Sequence, residues 1–437
     1  MKDNAHSFRL FALLLLLAIN LFNYIDRTIL SAAIPKIQRD LFPEHFQSDP
    51  GGNPRPTNEQ TLETLTGLLG MAFMVSYMVA APVFGWLADY CRRWWLVALG
   101  VAVWSLASGA SGLAVTYGIM LATRCFVGIG EAAYGPLAPT LLSDYYPLKV
   151  RGMVLSLFYL AIPVGSALGY AFGGIMADSW LGWRWAFYLV VPPGLLLALL
   201  CMVMPEPPVG QSDRVQGEYK PRLRDFVALF KSPSWVLCTA GMTAMTFSIG
   251  GIAYWIPKYI HEYRGQPELG EINTVFGIIV VATGLTATFL GGLAGDLLQR
   301  WFSGSYFMVS GIAMLLAFPL SVLFLYVPFP WAWWLLAGAC FCLFFNTGPT
   351  NTILANTAHP ALRAGGFALN IFIIHALGDA ISPAVIGWVT DKTGGNMNLA
   401  FLLMSTMILA GGICWLAGTP FLERDTRRAL EQLPERR

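Results

Sequence analysis

The stretch NLFNYIDRTIL at residues 20–30 sets a carboxylate and a guanidinium, Asp26 and Arg27, directly behind the apolar run LFALLLLLAI. A charge deep in a membrane helix costs from ~3 to over 10 kcal/mol, so such groups face protein or a water-filled cavity. Asn20, Asn23 and Arg27 share a helical face, while Asp26 points about 100° away from Arg27. Sequence neighbours on a helix cannot simply pair with each other, so each charge needs its own partner. Asp26 can accept from Asn23 one turn back or meet a second helix. The stretch RCFVGIGEAAY supplies a complementary set: Arg124, Gly128 and Glu131 lie at i, i+4 and i+7 on one face. A third set, His375, Asp379 and Ser382, repeats that spacing.

Three kinds of chemistry follow. Burial favours the neutral form of a carboxyl and a nearby arginine favours the charged form, so Glu131 is placed to bind and release a proton. The other reading, a permanent bridge to Arg27 or Arg124, gains little over apolar packing. Histidine titrates near neutral pH, and Asp379 one turn from His375 makes that pair a second candidate. Asp26, Glu131, His375 and Asp379 are therefore the expected proton-coupling residues. Phe344 stands where the second half would match Glu131, so proton handling is expected to concentrate in the first half, with His375–Asp379 across the cavity. Guanidinium groups bind phosphate in a fork geometry. Arg27 and Arg124 are the two arginines at membrane depth, and they head the expected substrate contacts with Asn23, Tyr134, Tyr159 and Asn370. Tyr24, Trp255 and Phe372 are further candidates to line an apolar chamber.

The elements that must hold these groups are membrane helices. Of the 437 residues, 56% are hydrophobic and 12% charged, about half the charge of an average soluble domain; the mean hydropathy is +0.58. Apolar runs recur near 8–40, 64–89, 95–115, 118–145, 151–176 and 184–204, then near 234–260, 273–298, 304–327, 331–357, 365–390 and 398–418. Each can cross a ~30 Å hydrocarbon core as a helix. The first is too long for a signal-peptide core and is expected to remain as a span. The expected fold is all-α, with a six-helix bundle over 1–204, a cytoplasmic linker over 205–231, a second bundle over 232–420 and a cytoplasmic tail over 421–437. Of the 27 Lys and Arg, 18 fall on the side holding both termini and 7 on the other, with Arg27 and Arg124 on neither. That bias puts both termini in the cytoplasm. The seven cysteines show no metal spacing and read as small buried hydrophobes. A net charge of +2 with no long basic run argues against nucleic acid.

The halves repeat. Gly85, Asp89 and Arg93 in GWLADYCRR match Gly292, Asp296 and Arg300 in GLAGDLLQR, and further on Gly135-Pro136 matches Gly348-Pro349 and Gly165 matches Gly378. Internal repeats of this kind mark duplicated transporter halves. Asp89 and Arg93, and less strongly Asp296 and Arg300, are expected to bridge neighbouring helix ends and tilt the balance between states. Gly165, Gly169, Gly173 and Gly174 are spaced for close helix approach.

GWLADYCRRWW resembles the loop motif between helices 2 and 3 of the major facilitator superfamily, with Arg92 where that motif has glycine. NYIDR, RCFVGIGEAAYGPLAPTLLSDYYP, RGMVLSLFYLAIPVGSALGY and HALGDAISPAVIGWVTD are similar to segments of its Spinster family, over about 15 to 395. The resemblance, to a bacterial member, implies twelve helices in two bundles, alternating access, and transport of amphipathic lipids of the lysophospholipid or sphingosine-phosphate type, often with protons. It implies a monomer in the inner membrane, without cofactor. NYIDR is also similar to anion–cation symporters of the superfamily, which keeps small organic anions such as sugar acids as an alternative. A sensor on the same fold is a second alternative. An enzyme would need a nucleophile elbow or zinc spacing, and an ATP-driven pump a phosphate loop; neither pattern occurs.

Overall fold

A computed structural model of the chain describes all residues except 1, 44–45, 49–53, 57–60, 89, 208–222, 360–361 and 432–437. In lipid every backbone polar group must be satisfied within the segment, and the apolar stretches are accordingly helices. They are α1 (Lys2–Leu41), α2 (Leu62–Leu87), α3 (Arg93–Gly112), α4 (Tyr117–Tyr134), α5 (Leu137–Tyr145), α6 (Leu148–Asp178), α7 (Arg184–Met202) and α8 (Pro233–Lys258). Then come α9 (Leu269–Gln299), α10 (Ser305–Phe324), α11 (Trp331–Phe345), α12 (Thr347–Thr357), α13 (Arg363–Ile374), α14 (Ser382–Lys392), α15 (Met397–Gly418) and α16 (Leu422–Glu431). The α1–α2 loop carries a small antiparallel pair, β1 (Phe46–Ser48) and β2 (Pro54–Pro56).

Among the described residues, eleven helices are long and apolar enough to cross a membrane. The remaining expected span is α4 continued by α5, which holds Arg124 and Glu131 and breaks at Gly135-Pro136. Its counterpart breaks at Asn346, between α11 and α12. The eleventh expected span is α13 and α14 joined by a π-helical turn over His375–Asp379, where Gly378 leaves helical geometry at φ −107°, ψ −106°.

The chain divides into two compact units, with one boundary between residues 216 and 217, within the linker stretch, and a second-half segment that joins the first unit. Unit 1 is Met1–Gln216 with Ala253–Val281, and unit 2 is Gly217–Ile252 with Ala282–Arg437. The end of α8 and the start of α9 thus group with the first half. Side-chain contacts explain it: Tyr170 Oη of α6 donates to the Ala253 carbonyl of α8 at 2.5 Å. Asn273 Nδ2 donates to the Ala32 carbonyl at 3.2 Å. The linker residues 208–222 lie outside the described residues, and 223–231 form a short 3₁₀ helix.

Unit 1 is built around Leu16, Trp94, Trp104, Val127, Leu141 and Phe158. Small residues set its helix spacing. A carbon added at Gly165 of α6 would fall 2.6 Å from the Leu21 carbonyl of α1, and one at Gly173 would fall 2.9 Å from Ala32 Cβ. In unit 2, Trp415 of α15 donates to the Cys238 carbonyl of α8 at 3.1 Å. The expected tail is in part the docked helix α16, whose Asp425 accepts from the Ser234 amide at 2.9 Å in the first turn of α8. All seven cysteines are free, and Cys91 is exposed rather than buried.

The α3–α4 crossing gives a test. A carbon on Gly100 would lie 2.6 Å from both the Gly130 carbonyl and Ala133 Cβ, whereas one on Gly85 meets nothing within 4 Å. Gly100→Ala should destabilise by ~1–3 kcal/mol through overpacking. Gly85→Ala should leave thermal unfolding in detergent unchanged or slightly raised.

Candidate functional site

The charges of α1 find partners on other helices, in a crossed arrangement within unit 1. Arg27 Nε donates to Glu131 Oε2 of α4 at 2.6 Å. Asp26, buried, accepts through Oδ1 from the Ser108 hydroxyl of α3. The strongest attraction on Asp26 comes from Arg124 of α4, ahead of Arg27. Arg124 in turn donates through Nη2 to Ser111 Oγ at 2.5 Å and lies 5.4 Å from the Phe187 ring centroid. Arg27 thus bonds a charge of α4, while Asp26 bonds Ser108 of α3.

Several packing choices enforce this. Asn20 Nδ2 donates to the Phe158 carbonyl at 3.0 Å, and the Thr28 hydroxyl donates to the Ser166 carbonyl at 3.2 Å, fixing the rotation of α1 against α6. Gly128 lets α2 approach α4, since a carbon there would run into Ser76 and the Phe73 carbonyl. That approach brings two α2 rings over Arg27, whose guanidinium lies 5.1 Å from the Phe73 centroid and 5.6 Å from Tyr77, beside Tyr24 of α1 itself at 4.8 Å. Cations over such faces gain about 0.5–2 kcal/mol each.

The Arg27–Glu131 pair is lopsided. The arginine side chain is 23% exposed and the glutamate 0%. Asn23 sits beside Glu131 as its hydrogen-bonding neighbour after Arg27, and Glu131 Oε1 and Asn23 Nδ2 find no other partner. The second oxygen of Asp26 and Arg124 Nε are buried without partners. The site therefore pairs an accessible guanidinium with a sealed carboxylate that retains acceptor capacity, an arrangement able to exchange one anion for another.

Other expected contacts lie elsewhere. Tyr134 is buried, its hydroxyl donates to the Leu16 carbonyl at 2.7 Å, and it sits edge-on to Trp104 at 5.8 Å. It is a core tie between α4 and α1 and not a chamber wall, because its one donor is already committed to backbone. Trp255 is fully buried, which removes it from the chamber set too, while Tyr159 is 48% exposed and packs on Phe158.

Unit 2 brings His375 Nδ1 to within 2.9 and 3.0 Å of the two Asp379 oxygens. The π turn that holds them packs Asp379 against Gly250 of α8, where an added carbon would fall 2.5 Å from Asp379 Cβ. Ser382, the third member, is buried with its hydroxyl unpartnered. Asn370 is buried and donates to Thr239 Oγ1 at 2.9 Å, with its own oxygen unpartnered.

Of the expected bridging residues, Asp89 lies outside the described residues. Arg93 donates to Asp144 Oδ2 at 2.5 Å, to Glu206 Oε1 at 2.8 Å and to the Pro207 carbonyl at 3.0 Å, tying the start of α3 to the end of α5 and the segment after α7. Sequence reading missed both acids. Asp144 stands at the end of the helix 4 motif, three residues before Pro147, and Glu206 in PEP after the sixth span, so both adjoin turns that could have drawn attention. In the repeat, Asp296 accepts from the Tyr306 hydroxyl at 2.8 Å and Arg300 is exposed. Also missed was Lys258, counted with the loop charges and in fact buried beside Glu63 and Gln38.

Comparison with known proteins matches residues 16–383 to the family model of the Major Facilitator Superfamily. The sphingosine-1-phosphate transporter SPNS2 of Danio rerio is 30% identical over 448 residues, covering 95% of this chain and 84% of that protein. Protein spinster homolog 1 of Rattus norvegicus is 33% identical over 453 residues, covering 94% and 80%. A solved bacterial homologue of the human lysosomal transporter Spinster, in an inward-facing and unoccupied conformation, aligns with a TM-score of 0.77. At 22% identity over 98% of this chain and 99% of that one, it speaks to the fold alone.

Stability measurements can separate tie from exchange site. Tyr134→Phe removes one hydrogen bond to backbone and should lower stability by about 1 kcal/mol. Glu131→Ala strands the Arg27 charge and should cost about 3–5 kcal/mol, while the double variant Arg27→Met, Glu131→Leu should recover most of that loss. Thermal unfolding in detergent reads all three.

Proposed function

We propose that this chain, which belongs to the Spinster family of the Major Facilitator Superfamily, carries an amphipathic anion of the lysophospholipid or sphingosine-phosphate type, coupled to protons. It is a membrane transporter that works by alternating access, and not an enzyme. The observation that carries the proposal is the lopsided pair: Arg27 is reachable and Glu131 is sealed. A phosphate competes with the Glu131 carboxylate for the same guanidinium fork. When phosphate takes the fork, Glu131 is left in a dry pocket without its counter-charge, and a proton neutralises it. Cargo binding and proton uptake then favour each other. Asp26 stays paired toward Arg124 and Ser108 through this exchange and keeps α1 oriented, and a proton on Asp26 would release Arg124 as a second anion contact. The rings of Tyr24, Phe73 and Tyr77 around Arg27 suit the apolar part of such a cargo near its head group. The zebrafish relative, whose name gives sphingosine-1-phosphate as its cargo, supports the same substrate class.

His375–Asp379 is the proposed partner in proton handling, and Asn23, Tyr159 and Asn370 are the proposed polar contacts. Arg93, with Asp144 and Glu206, is the proposed tie that holds one end closed, with Asp89, Asp296 and Arg300 contributing to the same balance. The bias of 18 to 7 in Lys and Arg supports cytoplasmic termini in the inner membrane, and a monomer is the working unit. A small organic anion such as a sugar acid would use the same fork and needs no apolar tail contacts, which is the reading the test must separate.

Reconstituted protein should take up a lysophospholipid, and a pH gradient should raise that flux several-fold. Gluconate should compete weakly. Glu131→Gln should keep lysophospholipid binding and lose the response to the gradient. A response equal to the parent's overturns the coupling assignment; gluconate flux without lysophospholipid flux establishes the sugar-acid reading; binding without flux of either points to a sensor.

A further inference from the structure

A second cluster of charge lies in unit 1, apart from the Arg27 site and near the end of α1 away from the N-terminus. Lys258 is 1% exposed. Its ammonium donates to Gln38 Oε1 of α1 and to Glu63 Oε1 of α2. Gln38 in turn donates to Glu63 Oε2 at 3.1 Å and to Thr66 Oγ1 at 2.7 Å. Tyr254, one helical turn before Lys258, donates to the Thr66 carbonyl at 2.5 Å. One ammonium therefore draws three helices together in a dry environment.

Glu262 completes the cluster. It sits on the π-helical turn Tyr259–Tyr263 that follows α8, and its Oε2 is 3.4 Å from Lys258 Nζ. Its Oε1 is buried and has no hydrogen-bond partner. Glu262 thus already shares Lys258 with Glu63, as the longer of its two ion pairs. Single π turns are rare and are found at functional sites.

A buried ammonium stripped of its partner is strongly destabilising. Alternating access requires the wall at each end of a transporter to part in turn, and Lys258 lies on the segment 253–281 that groups with α1 and α2 although it belongs by sequence to the second half. When that segment leaves α1 and α2, Glu63 and Gln38 stay behind and Glu262 travels with Lys258. We propose that Lys258, Glu63 and Gln38 form a latch that closes this end of the transporter, and that it opens by handing the Lys258 ammonium from Glu63 to Glu262. Glu63 keeps the Gln38 amide and gains water as the end opens. Neither charge is left bare at any stage, so the latch holds the closed state without making its opening prohibitive.

The two carboxylates have opposite duties, and the test uses that. Leu69 of α2 is buried, one turn beyond Thr66, and serves as reporter position. In a Cys91→Ser background, Leu69→Cys protein in nanodiscs is treated with a membrane-impermeant maleimide and its labelling rate measured, with no cargo required. Lys258→Met should speed labelling about tenfold and Glu63→Gln several-fold, because each releases the latch. Glu262→Gln should slow it about threefold, because the receiving carboxylate is gone. Should Lys258→Met fail to give monodisperse protein, Glu63→Gln, which keeps the side-chain shape, carries the same expectation. An unchanged rate in Glu63→Gln, or a Glu262→Gln variant that labels as fast as the latch-releasing ones, overturns the handover. A failure here leaves the cargo and proton assignments at Arg27 and Glu131 standing, since they are read by flux.

Discussion

The need to give two neighbouring α1 charges separate partners on other helices is the constraint on which the first unit depends. Asp26 and Arg27 are neighbours in sequence and cannot satisfy each other on a helix. One goes to Ser108 and toward Arg124, the other to Glu131. This fixes the rotation of α1 about its axis and the height of α4 beside it. A shift by one residue in either helix would expose two charges to hydrocarbon. The glycines at 100, 128 and 130 follow from the same demand, since side chains this short reach one another only where backbones nearly touch.

The two halves use the shared plan differently. In the first, charge is held across helices by side chains that seven-residue spacing puts on one face of α4. In the second, Phe344 replaces the acid, and the ionisable pair sits within one turn of a distorted helix. A pair made across helices responds to helix movement, whereas a pair made within a turn travels intact with its helix. The duplication thus supplies one mobile charge contact and one portable one.

Much of this was legible in the sequence, for a physical reason: lipid forces helices, and helices force periodicity. The spans, the repeat and the facing of Arg124 with Glu131 all follow from that. What was illegible depends on reach. Tyr134 has the look of a polar contact among polar neighbours, yet its long ring carries the hydroxyl to a backbone oxygen of α1. Lys258 sits next to Pro257 and ahead of the polar segment HEYRGQPE, which reads as a loop, yet α8 runs through that proline and on into a π turn. Asp144 and Glu206 meet Arg93 only once three helix ends converge. The grouping of 253–281 with the first unit was hidden for the same reason, since it is made by the side chains of Tyr170, Tyr254, Lys258 and Asn273.

The carboxylate of Asp425 at the first turn of α8 has a consequence for biosynthesis. The amide it satisfies lies 191 residues earlier in the chain. While the ribosome is still making the second half, that turn has no protein acceptor from α16 and must borrow water at the membrane surface. A helix made long after α8 is the one that finishes its first turn, so the second unit reaches its final form only after Asp425 has left the ribosome. Shortening the chain before Leu422 would therefore be felt at residue 234, far from the cut in sequence.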